Sequence, residues 1–167
     1  MAGEFGHVPV IGDNLIVCPC GNKKCLTAYC SGDAIAQRAR LMLKERPSEV
    51  LMSFCDHNPE EITAKMVVDA ARQKDLVAVE IFDQSIYHLG LSIAGLINTF
   101  NPQAVFIGGG VALSGDIFWE PLKKIIYENV FDRHSKEYSV LPVTFLDRAA
   151  MYGAVGLVIK EILNMDI

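Results

Sequence analysis

The stretch CPCGNKKCLTAYC, residues 18–30, carries four of the chain's five cysteines in thirteen positions. With His7 it forms the spacing His-x10-Cys-x-Cys-x4-Cys over His7, Cys18, Cys20 and Cys25. Three thiolates and one imidazole match the ligand set of a closed tetrahedral zinc site, and such a site obliges residues 7–25 to fold back on themselves. No coordination position is left for water, so the metal would hold structure without taking part in chemistry. Gly21 relieves crowding between Cys20 and Cys25. A disulfide within the cluster and unrelated buried cysteines are the competing readings. Cysteines one residue apart pair badly, and a redox pair calls for Cys-x-x-Cys. Cys30 and Cys55 are left over as core residues, with Cys55-x-His57 as an alternative ligand pair.

Composition decides between these readings through the compartment. No apolar run reaches the roughly 18 residues of a membrane span. The start, MAGEFGHVPV, lacks the basic and apolar regions of a signal peptide. A reducing cytoplasm is therefore expected, where clustered cysteines are metal ligands more often than disulfides. A net charge of −5 offers no general attraction to nucleic acid, and no membrane or nucleic-acid partner is expected for this chain. At 167 residues with 51% hydrophobic content, one globular domain accounts for the whole.

Along the chain, HVPVIGDNLIV reads as two short strands around a Gly12-Asp13-Asn14 turn, a hairpin that would carry His7 back over the cysteine loop. SGDAIAQRARLMLKER has Ile35, Ala39 and Met42 at helical spacing, with Ser31 as N-cap and Pro47 as stop. A second helix covers TAKMVVDAARQK, capped by Thr63. A third runs from its cap Asp75 to Phe100 and closes at Asn101-Pro102. Its second half, LGLSIAGLINTF, is apolar nearly all round and predicts burial on several sides. AVFIGGG is a strand emptying into glycines, GDIFWEPLKKIIYENV a helix, LPVTFLD a strand and RAAMYGAVGLVIKEIL a closing helix. This alternation is α/β order, with helices on a partly parallel sheet. His88 and His134 read as core or surface histidines.

AGEFGHV followed by CPCGNKKCLTAY closely resembles the Gly-Glu-x-Gly-His and Cys-x-Cys-Gly-x-x-x-Cys-Leu-Glu-Ala-Tyr segments of the ROK family (repressors, open reading frames and kinases). LGLSIAGLINTFNPQAVFIGGGV is similar to that family's helix, Asn-Pro stop and glycine-rich strand end, and RAAMYGAVGLV to its closing helix. The resemblance runs over essentially the whole chain. It implies an actin-like, ribonuclease-H-type α/β domain with an inserted zinc-binding loop. Residues 1–30 would form the hairpin and loop, and 31–167 the body.

Carried over residue by residue, the resemblance places His7, Cys18, Cys20 and Cys25 on zinc ligands and Glu4 and His7 on contacts to sugar hydroxyls. Gly108, Gly109 and Gly110 fall against the adenosine of ATP, with Mg²⁺ a cofactor of the complete enzyme. Thr27 stands where the family pattern has glutamate, which changes the sugar contacts. The Asp-x-Gly-Gly-Thr phosphate loop and the Asn-Asp pair carrying the catalytic base are absent from these residues. The expectation is the C-terminal lobe of a two-lobed ATP-dependent hexose kinase, inactive without its N-terminal lobe and assembling as a homo-oligomer. Its alternatives are the sugar-sensing domain of a repressor and a free-standing zinc-stabilised interaction module.

Overall fold

The computed structural model describes residues 3–13, 15–131, 137–144 and 148–163. Four helix starts are set by side chains that accept the first free backbone N–H groups. Ser31 accepts from Ala34 at 3.1 Å and opens α2 (Gly32–Met42). Ser48 accepts from Leu51 at 3.0 Å and opens α3 (Glu49–Ser53) after the short α1 (Thr27–Cys30). Thr63 accepts from Met66 at 3.3 Å and opens α4 (Ala64–Arg72). Asp75 accepts from Ala78 at 2.8 Å and opens α5 (Leu76–Phe100), which ends where Asn101 turns left-handed at φ 47° just before Pro102. The helix expected to run up to Pro47 stops earlier, at Met42, because residues 43–46 tighten into turn bonds.

β1 (Ala104–Ile107) and β2 (Ser139–Pro142) pair in parallel, Ala104 opposite Ser139 and Ile107 opposite Pro142. α6 (Asp116–Asn129) makes the crossover between them, and α7 (Ala149–Leu163) follows. The order is that of an α/β fold, as expected. β2 begins two residues before the predicted strand, and Phe145, Leu146 and Asp147 of that prediction lie outside the described residues, as does His134.

Two expectations are corrected. The hairpin around Gly12-Asp13 does not form. Residues 8–10 pair instead with 24–26, through a Pro9–Cys25 bridge and the backbone bonds on either side of it, so their edge is occupied by the segment that follows the cysteine loop. Asn14 lies outside the described residues. The second half of α5 is buried on one face only. Ile93, Ala94 and Ile97 join the core with Phe118, Leu122 and Ile126. The opposite face, including Leu91, Leu96 and Phe100, opens on a groove of about 700 Å³ whose other wall is the 8–11 segment. Among the described residues no helix is long and apolar enough to cross a membrane.

Candidate metal centre and a glycine-lined groove

The pairing of 8–10 with 24–26 is what delivers His7 to the cysteines. Val10 N–H donates to the Lys24 carbonyl at 2.7 Å and Leu26 N–H to the Val8 carbonyl at 2.9 Å. A second loop closes where Cys18 N–H donates to the Asn22 carbonyl at 2.9 Å and Gly21 N–H to the Cys18 carbonyl at 2.8 Å, leaving Cys20 near its tip. The ligand atoms of His7, Cys18, Cys20 and Cys25 then all lie within 4.8 Å of one another. Cys18 Sγ is 3.6 Å from His7 Nδ1, and Cys20 Sγ is 3.4 Å from Cys25 Sγ.

A tetrahedral ion with metal–sulfur bonds of about 2.3 Å and metal–nitrogen bonds of about 2.0–2.1 Å keeps neighbouring donors about 3.5–3.8 Å apart. The two closest separations come near that frame, while the widest, up to 4.8 Å, would have to close as the ligands take up an ion. These separations are far beyond the roughly 2.05 Å of a disulfide, and all five cysteines are free. Among the described residues this is the one metal-sized cluster of such ligands, so Cys55 and His57 are not part of a competing set. The Asn22 backbone N–H, then the Cys25 and Cys18 side chains, lower the exposed Cys20 thiol to about 7. Burial, then Cys20 and Cys18, pushes the Cys25 thiol up to about 12. A buried thiol of that kind gives up its proton to a strong Lewis acid and not to water.

His7 uses both ring nitrogens. Nδ1 faces Cys18, while Nε2 lies 3.7 Å from Glu4 Oε2 across the turn Phe5–His7. A ligand on Nδ1 leaves the ring proton on Nε2, facing outward beside a carboxylate. Glu4 and His7 are both exposed, so the pair presents one donor and one charged acceptor to solvent. Thr27 Oγ1 does not join them, because it donates to the Gly6 carbonyl at 2.8 Å.

The loop is tied to the body by a pair that sequence reasoning passed over. Arg38, 1% exposed on α2, donates from Nη1 to Asp13 Oδ1 at 2.9 Å and from Nη2 to Asp13 Oδ2 at 2.5 Å. It also reaches Gln84 on α5, and its guanidinium lies 4.9 Å over the Tyr29 ring. The available signal was Arg38 itself, sitting on the apolar stripe marked by Ile35 and Met42. His88 packs beside Tyr29 with ring centroids 4.3 Å apart, a buried histidine whose pKa burial lowers. Cys30 is a core thiol donating to the Ser85 carbonyl at 3.2 Å.

The glycines are separated from the metal loop in sequence and serve another groove, of about 650 Å³. Gly109 has φ 97°, a conformation that costs other residues strain, and it releases the chain from β1 into the turn Gly110–Ser114. Of the three, Gly110 lines the groove. Gly108 instead packs against Val143. The facing wall comes from α2 and α4, with Asp33, Lys65 and Asp69 at its rim. Arg72 Nη2 donates to the Ser114 carbonyl at 2.6 Å and tethers the turn to α4.

The sequence matches the model of the ROK family over residues 1–161. It is 33% identical to a glucokinase of Thermotoga maritima over 97% of this chain and 50% of that protein. It is 29% identical to a xylose repressor of Caldicellulosiruptor bescii over 98% of this chain and 40% of the repressor. The fold superposes on a ROK family glucokinase from Streptomyces griseus, solved with glucose and AMPPNP. That match has a TM-score of 0.80 and 32% identity, over 93% of this chain and 51% of the other. The chain thus spans about half the length of the kinases it matches and less of the repressor.

Proposed function

This chain belongs to the ROK family, and we propose that it is the zinc-bearing, sugar-facing lobe of an ATP-dependent hexose kinase with an actin-like fold. The observation that carries the reading is the division of the His7 ring, Nδ1 toward Cys18 and Nε2 toward Glu4. With Zn²⁺ on Nδ1, the Nε2–H points at a fixed angle toward a sugar oxygen. The Glu4 carboxylate accepts from neighbouring sugar hydroxyls. The Gly110 groove takes the adenosine side of ATP, its apolar floor holding the base and its rim the polar groups. The three thiolates persist in a reducing cytoplasm, the compartment we assign.

The 167 residues contain no Asp-x-Gly-Gly-Thr loop. We therefore assign Mg²⁺, the phosphates and the base that deprotonates the sugar hydroxyl to a partner lobe, since phosphoryl transfer is chiefly positioning and charge stabilisation around them. The isolated chain is then expected to consume no ATP in the presence of glucose.

The xylose repressor relative favours a second reading, in which the same Glu4–His7 pair senses a sugar and other segments bind DNA. The coding sequence immediately upstream separates the two: a phosphate loop with an Asn-Asp pair supports the kinase, and an added helix-turn-helix supports the repressor. The shared sugar site is tested by saturation-transfer NMR with glucose and xylose on the zinc-loaded chain. Transfer that disappears in Glu4→Gln supports it. Absence of transfer from either sugar overturns it.

A further inference from the structure

We infer that Thr27 is a positioning residue whose hydroxyl latches the Glu4–His7 turn onto the cysteine loop and so sets the direction of the His7 ring. The bond from Thr27 Oγ1 to the Gly6 carbonyl, 2.8 Å long, joins residues 21 positions apart. That carbonyl belongs to the peptide leading directly into His7. Because the peptide unit is planar, orienting its C=O orients the backbone from which the imidazole projects. At the other end, Thr27 follows Cys25 and Leu26, which are 1% and 3% exposed and cannot shift without disturbing the core.

The bond also continues a ladder. Val10 to Lys24 and Leu26 to Val8 are backbone rungs, and the pairing would end there, one residue short of His7. Thr27 supplies the next rung from a side chain. Gly6 is matched to it: a Cβ at residue 6 would collide with Thr27 Oγ1, so this approach requires glycine. A half-buried threonine hydroxyl that crosses to a segment 21 positions away has a partner chosen by the fold. The inference rests on the metal-site reading above for its effect on zinc, and on the ladder alone for its effect on the turn.

The test compares the chain with Thr27→Val, which keeps the shape and removes the hydroxyl, and Thr27→Ser, which restores it. Three quantities are read: zinc release to a chromogenic chelator, the ¹⁵N shifts of the His7 ring, and amide exchange at Val10 and Leu26. In Thr27→Val, release and exchange should rise about tenfold, with His7 moving toward a tautomer mixture, while Thr27→Ser stays within about twofold. Exchange at Ile81 and Phe82 in α5 should not change. Wild-type behaviour in Thr27→Val, no rescue by Thr27→Ser, or an equal rise at Ile81 and Phe82 each overturns the latch. If the wild-type chain takes up no zinc, the metal reading fails on its own. The latch is then judged by Leu26 exchange in the metal-free proteins, where an unchanged rate in Thr27→Val overturns it.

Discussion

In the body built from α2, α4, α5 and α6, Ile81, Phe82, Phe118, Leu122 and Ile126 are sealed from solvent in one apolar cluster. In the segment from residue 3 to 30, Ile11 is 96% exposed and Val17 52%, and the buried cluster shrinks to a few residues around Tyr29. The body is held by area removed from water, a force with little direction. The loop is held by directed contacts: a few backbone rungs, the Thr27 latch, the Asp13–Arg38 pair and four ligand atoms converging on one point. A region of the second kind can keep a side chain such as His7 at a set angle while remaining exposed. It also fails differently from the body, and that difference can be measured.

The largest expected effect breaks the body alone. Phe82→Ala should cost about 3–5 kcal/mol, as truncation of a buried aromatic does. At about 2–4 °C per kcal/mol for a chain of this size, the thermal midpoint falls by roughly 10 °C. Zinc content measured well below that midpoint should stay the same as in the wild type. Loss of metal in step with the midpoint would show that the two regions do not separate.

Arg38→Met removes the tie between the regions and should affect both. Asp13 is part-exposed and can regain water, so the expected loss is about 2 kcal/mol, below that for stranding a fully buried partner. Zinc release should quicken along with the lower midpoint. A lower midpoint with unchanged release would place Arg38 wholly within the body.

Acid should act on the same tie by a graded route. Hydrogen bonding from Arg38 holds the Asp13 carboxyl below its usual value of 3.8. A carboxylate with a lowered folded-state pKa contributes stability above the unfolded value, and that stability is lost as pH falls through the folded one. The Asp13 contribution should therefore be complete at pH 5 and above and fade below 3.8. The check is the difference in thermal midpoint between the chain and Asp13→Asn, followed down in pH at constant salt. A difference that persists unchanged below the folded-state value would remove Asp13 as its source.

The same contrast governs what could be read from the sequence. Ser31, Thr63 and Asp75 are legible as caps because the N–H they accept from lies three residues away. His7, Cys18, Cys20 and Cys25 are legible as a group because few side chains share their chemistry and they lie close in the chain. Gly12-Asp13 misleads, since a local turn signal was overridden by pairing of 8–10 with 24–26. Asp13 and Arg38 meet across 25 positions, and Thr27 meets Gly6 across 21, distances over which no spacing rule operates. The outer wall of the Gly110 groove was hidden for the same reason: Asp33, Lys65 and Asp69 come from two helices that only the fold sets beside the Gly110–Ser114 turn. Local chemistry could be read directly, whereas partners chosen by topology could not.

The smallest expected change in stability sharpens the comparison from the other groove. Lys65 is 85% exposed and pairs with Asp69 at 2.6 Å, an exposed pair of the kind worth at most about 0.5 kcal/mol. Lys65→Ala should therefore leave the thermal midpoint within about 2 °C of the wild type. Any larger effect of this substitution must come from what the groove binds. If the groove receives a nucleotide, removing a cation from its rim should weaken AMPPNP binding at low salt. That difference should narrow as added salt screens the lost charge. Zinc content and sugar contacts, which the proposed function assigns to His7, Glu4 and the cysteines, should not respond. Weaker AMPPNP binding with an unmoved midpoint would locate nucleotide affinity in the α4 rim. Equal AMPPNP binding by both proteins at every salt concentration would show that the Lys65 charge takes no part in it.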